Sequence, residues 1–221
     1  MKTWHDHKIG TRLGVVFGAI LLCVIAVGAF GLTWLGRLNS EMSSSMQKRY
    51  NTVELTHQTI EKSITNARIT LQLFQTTDPE EEKKLNQQND AISKEISAQV
   101  AEIEKSLSSS QESALFEVVT QDRQAYISAR NKAKALLTDK KREQAFAALQ
   151  EEVIPALDKY RATWEKFIGL QTSAMQQTMQ ASQEEYAVGR GIAVLILVAT
   201  LFLATLAAIS VTRSITTPIE H

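Results

Sequence analysis

The sequence predicts an all-α protein: an antiparallel up-down-up-down four-helix bundle flanked by two transmembrane helices. Three observations predict it. Two long runs, Leu13 to Gly36 and Gly191 to Thr212, contain no charged residue. Between them no glycine occurs from Arg37 to Ile168, and the whole chain of 221 residues holds only three prolines. In that middle segment apolar residues recur at three- and four-residue steps, the spacing of a packed helical stripe.

The two uncharged runs are 24 and 22 residues long, and about 20 apolar residues suffice to cross a hydrocarbon core. A cleaved signal peptide is the alternative for the first, since basic residues precede it and Val27-Gly28-Ala29 resembles a small-residue cleavage site. A signal core, however, is about 7–15 residues long, whereas this run continues through Phe30, Leu32, Trp34 and Leu35, so an uncleaved anchor is expected. Lys2, Lys8 and Arg12 precede the first run and Arg213 follows the second, which places both ends in the cytoplasm. The resulting plan is a cytoplasmic tail (1–12), a first span (13–36), an outer bundle (37–190), a second span (191–212) and a short cytoplasmic stretch (213–221).

The outer segment holds 20 Lys/Arg and 22 Asp/Glu with no basic stripe, so nucleic acid is not an expected partner. The one cysteine, Cys23, leaves no intrachain disulfide, and the bundle must be held by packing.

Four helices are expected near 37–77, 79–106, 111–137 and 140–190. Their apolar stripes read Val53, Ile60, Ile64, Ala67, Leu71, Phe74; then Leu85, Ile92, Ile96, Ile103, Leu107; then Leu115, Val118, Ala125, Ala129, Leu136; then Leu149, Val153, Leu157, Tyr160, Trp164, Phe167, Leu170. Thr77-Asp78-Pro79-Glu80 combines a cap residue, a first-turn proline and acids that suit the helix dipole. Ser106 to Ser110 forms a polar break, and Thr138-Asp139 can cap the last start. Short connections imply antiparallel neighbours. Pro155 falls inside the fourth helix and predicts a kink or a short broken turn there.

This arrangement, followed by Arg213-Ser214-Ile215-Thr216-Thr217-Pro218-Ile219, resembles a bacterial methyl-accepting chemotaxis receptor, with the closing string similar to the start of a HAMP linker. The resemblance implies a homodimer in the bacterial inner membrane, with ligand sites near the membrane-distal end of its periplasmic bundle, and the arginines there suggest a small organic acid or amino acid as ligand. It implies signalling by displacement of the second span into a HAMP region, whose continuation would lie past His221, and partners in the cytoplasmic chemotaxis kinase and its coupling protein. A sensor histidine kinase or a cyclic-dinucleotide enzyme would share the same input end, and a bundle that binds another protein is a third reading. In enteric amino-acid receptors of this type an arginine opens an Arg-Ile-x-Leu string, with further arginines five and nine residues on. Arg68-Ile69-Thr70-Leu71 matches the opening, but Leu73 and Thr77 stand at the other two positions.

Arg68 therefore reads either as a lone anion anchor or as a solvated or ion-paired surface residue. Arg123, Tyr126 and Arg130 are spaced to share one helical face, and a hydroxyl between two guanidinium groups can hold an organic acid; an ordinary amphipathic surface is the alternative. Thr163 and Trp164 could complete such a pocket, although Trp164 fits the core stripe. His57 lies in the apolar register and reads as a satisfied core histidine. No cluster of His, Cys and carboxylate residues accompanies it, so no metal is expected. His5 and His7 read as exposed. Gly10, Gly14 and Gly18 repeat on one face and permit close helix approach in a membrane, while Trp4, Trp34 and Tyr186 suit the membrane interfaces. No catalytic motif and no cofactor signature is present, so an enzyme is not expected.

Overall fold

A computed structural model describes the backbone of residues 9–216, with side chains at 14 and 17–209. Its elements are α1 (Ile9–Gln75), α2 (Pro79–Ser106), α3 (Ser110–Thr138), α4 (Arg142–Ala148), a π-helical turn (Leu149–Val153) and α5 (Ile154–Thr216). No strand occurs among the described residues. Lys2, Trp4, His5, His7 and Pro218 lie outside them.

Local chemistry explains the breaks. Asp78 caps α2 by accepting from the Glu80 amide at 3.1 Å, and Pro79 occupies the first turn, where its missing N–H is not needed. Ser109 caps α3 by accepting from the Glu112 amide at 3.1 Å. The fourth start differs from expectation. Asp139 terminates α3, and α4 begins at Arg142 with no side-chain cap. Between them Lys140 has φ of 61°, a left-handed conformation that costs a non-glycine residue roughly 1–2 kcal/mol. Lys140→Gly is therefore expected to raise stability by about 0.5–1 kcal/mol, readable as a higher thermal midpoint by circular dichroism.

The irregularity expected at Pro155 lies just ahead of it. The Ile154 amide donates to Leu149 O, five residues back, so the chain carries one extra residue per turn there. That register shift accommodates a proline ring that would otherwise crowd the carbonyl of Glu151.

The structure divides into two units, one of Met1–Ser44 with Thr178–His221 and the other of Ser45–Gln177. Both divisions fall inside continuous helices. In the first unit α1 and α5 are long and apolar enough to cross a membrane. Their large side chains are exposed, with Leu22 and Leu195 each 70% accessible. Trp34 approaches Gly189 closely: a Cβ there would come within 3.0 Å of the indole nitrogen. Trp34, Tyr186 and Arg190 rim an apolar groove.

In the second unit the registers of α2 and α5 are as expected. Leu85, Ile96 and Ile103 are buried on α2, and Tyr160, Trp164 and Phe167 on α5. The registers of α1 and α3 are not. The inner face of α1 is polar: Thr52, Thr56, Thr59, Ser63, Asn66 and Thr70 are all buried, ahead of Leu73. Hydroxyls of this face donate to carbonyls four residues back, such as Thr56 to Thr52 O at 2.7 Å and Ser63 to Thr59 O at 2.7 Å, so they enter the core already satisfied. The expected apolar stripe sits one residue further round. Val53, Ile60, Ile64 and Ala67 are half-buried and Leu71 is exposed. His57 is exposed, not a core histidine. On α3 the buried line is Glu112, Phe116, Val119, Asp122, Tyr126, Arg130 and Ala133, while the expected Val118 and Ala125 face outward.

Candidate functional site

The rotation of α1 and α3 brings polar side chains together inside the bundle. A cavity of about 190 Å³ is lined by Ser63 and Asn66 from α1, Ser93, Ile96 and Ser97 from α2, Arg123, Tyr126, Ile127 and Arg130 from α3, and Tyr160 from α5. Three of the four residues singled out from sequence therefore meet at one place. Arg68 does not join them; it is exposed on α1. Leu73, which stands where a second arginine would follow it, is only 2% exposed and packs in the core.

Arg130 is the central group. It is 8% exposed. Its Nη1 donates to Asn66 Oδ1 and to Ser93 Oγ, the latter at 3.3 Å. Its guanidinium carbon stands 5.7 Å from the centroid of the Tyr126 ring, within cation–π range. Tyr126 in turn stacks on Tyr160, with centroids 6.3 Å apart and planes 9° from parallel. Arg123, half-buried, donates through Nη2 to Ser97 Oγ at 2.7 Å. Asn66 is held by a reciprocal pair: its Nδ2 donates to Asn89 O at 2.9 Å, and Asn89 Nδ2 donates to Asn66 O at 3.1 Å.

The electrostatics are one-sided. No carboxylate lines the cavity. Asp122, the buried carboxylate that precedes Arg123 on α3, is engaged elsewhere, accepting from Lys159 Nζ at 2.8 Å and Thr163 Oγ1 at 2.7 Å. Burial opposes its charge, but those two donors outweigh burial and hold it below the usual carboxylate range. Burial pushes the Lys134 ammonium down, and the Arg130 charge adds to that effect. Burial also raises the phenols of Tyr126 and Tyr160 above their ordinary value, despite the arginines beside them, so both stay protonated donors at neutral pH. Neither hydroxyl, nor Arg130 Nε, has a hydrogen-bonding partner of good geometry. A pocket with guanidinium groups, phenol donors and no acid is suited to an anion.

Sequence reasoning missed Ser63, Asn66, Ser93 and Ser97, and placed Tyr160 only in the core. Thr163 and Trp164 do not line the cavity. Thr163 serves Asp122, and Trp164, fully buried, packs against Phe116, Tyr160 and Phe167. Among the described residues no group of three or more His, Cys, Asp or Glu is placed to hold a metal.

A helical bundle with a charged, partly open cavity, on helices that continue as membrane-length apolar stretches, has the form of a sensory input domain. Residues 6–186 match the family described as the four helix bundle sensory module for signal transduction, and the chain belongs to that family. A comparison with curated proteins finds no match.

Proposed function

We propose that this chain is the sensor region of a bacterial transmembrane chemoreceptor that binds a small organic acid or amino acid inside the periplasmic bundle. One observation carries the reading: Arg130, nine-tenths buried, has only neutral hydrogen-bond partners and no carboxylate beside it in the cavity. A buried charge left without a counter-charge is costly unless something supplies one. Tyr160, which forms the cavity wall opposite α3, belongs to α5, the helix that also carries the second apolar run. A ligand that favours one setting of that helix would shift its population and so reach the cytoplasmic side.

Pairing of two copies fits the apolar line of half-buried Val53, Ile60 and Ile64 and exposed Leu71 on α1, which a second bundle would cover. The faces of Gly14 and Gly18, where an added Cβ would meet nothing, allow the same approach in the membrane. The cytoplasmic partners would be the chemotaxis kinase and its coupling protein, reached through a HAMP region.

The test is a thermal-shift screen of the full chain in lipid nanodiscs against small acids and amino acids. A ligand present at about 100 times its dissociation constant stabilises by about 2.7 kcal/mol. Arg130→Ala is expected to weaken any hit at least tenfold and Arg68→Ala to leave it within about twofold, since roughly 1.5–3 kcal/mol attaches to a hydrogen bond with a charged group. A hit that tolerates Arg130→Ala while failing with Arg68→Ala would place the site outside this cavity and refute the assignment.

A further inference from the structure

Resting on the anion-site reading above, we infer that the cavity is built for a short dicarboxylate without an ammonium group, one carboxylate at Arg130 and the other at Arg123. The two guanidinium groups are fixed at different heights on the same wall. Arg130 donates to Ser93 Oγ and Arg123 to Ser97 Oγ, both on α2. Those serines are four residues apart, which sets the two charges about 6 Å apart along the helix axis. Each guanidinium uses a neutral serine or asparagine on one side and keeps its remaining donors for a second partner, the fork that suits a carboxylate. Tyr126 lies between them in sequence and lines the same cavity, and its hydroxyl and that of Tyr160 have no hydrogen-bonding partner of good geometry.

The lining also excludes a class. An amino acid brings an ammonium, which requires a carboxylate or several free acceptors. The cavity offers no carboxylate, and Asn66 Oδ1 is already taken by Arg130. The acids of the neighbouring turns are already paired: buried Asp122 with Lys159, and exposed Glu95 with Lys62. Asp90 faces Lys134. An ammonium would thus meet two guanidinium groups with only neutral hydroxyl oxygens to receive it and no negative charge to offset the repulsion, whereas a second carboxylate meets a charge waiting for it.

Isothermal titration of the full chain in nanodiscs decides this, with succinate, glutarate, butyrate, L-aspartate, L-glutamate and inorganic phosphate as the probes. Succinate or glutarate is expected to bind at least tenfold tighter than butyrate and than either amino acid. Arg123→Gln, a half-exposed position whose loss leaves the core intact, should bring the diacid down to the level of the monoacid. Arg130→Gln should abolish both, with circular dichroism confirming that the variant is folded. Equal affinity for butyrate and the diacids, or an Arg123→Gln variant that keeps the preference, overturns the two-site inference while leaving an anion cavity. Tighter binding of L-aspartate, L-glutamate or phosphate overturns it as well. No binding by any probe removes the anion reading itself.

Discussion

Trp164→Ala is expected to cost about 3–5 kcal/mol of folding stability, the usual range for deleting a fully buried large aromatic. The ring has no solvent exposure and meets Phe116 edge-on from α3 and both Tyr160 and Phe167 along α5, at centroid separations of 6.1, 6.0 and 5.6 Å. Its removal leaves a void at the meeting of two helices whose neighbours are themselves rings, shapes that relax poorly into a gap. Chemical denaturation of the full chain in detergent, followed at 222 nm, measures the loss. A change below about 1 kcal/mol would show that this cluster is not the core of the bundle. Tyr160 is a neighbour of the lost ring, so weaker ligand binding should accompany the stability change.

Arg49→Met is expected to cost about 3 kcal/mol, because it strands a buried carboxylate and does not merely delete an ion pair. Glu112 is 2% exposed; its Oε1 accepts from Arg49 Nη1 at 2.7 Å, and its Oε2 accepts from the Ser108 amide at 2.7 Å. Arg49 also donates to Gln171 at 2.9 Å, so one guanidinium joins α1, α3 and α5. Burial works to raise the Glu112 carboxyl, yet the Ser108 amide and Arg49 together hold it below its ordinary value. A carboxyl depressed in the folded state adds stability that is fully present above its unfolded value and is lost as pH falls through the folded one. The thermal midpoint should therefore drop on acidification through the carboxylate range. In Arg49→Met that acid sensitivity should shrink, since only the Ser108 donors are left to oppose burial. An undiminished slope in the variant would assign the acid response to Asp122, which is depressed in the same direction by Lys159 and Thr163.

The helical elements were legible because their signals are local. A proline beside an acid-capped start, a glycine-free middle and two uncharged runs each act within a few residues. The registers of α2 and α5 were legible too, since there the buried face is also the apolar face. On α1 the two faces differ. Thr52, Thr56, Thr59, Ser63, Asn66, Thr70 and Leu73 follow alternating steps of four and three, as regular as any apolar stripe, but hydrophobicity gives such a line no weight. Its burial becomes intelligible only once each hydroxyl is seen bonded to its own helix. Arg123, Tyr126 and Arg130 were found by spacing alone, because one helix carries all three. Ser63, Asn66, Ser93 and Ser97 come from two other helices, and no local pattern announces a contact across more than twenty residues of chain.

The self-bonded threonines also settle how α1 can travel against its neighbours. A hydroxyl that donates only to its own helix, as those of Thr56 and Ser63 do, carries that bond along when the helix moves and resists axial displacement only through shape. The Asn66–Asn89 pair is different, for its two bonds run between α1 and α2 and break if either helix advances. The polar face thus combines sliding contacts with a few pins, Thr52–Ser106, Thr59–Gln99 and Asn89–Thr70 besides the asparagine pair, and the asparagine pair holds the residue to which Arg130 is tied.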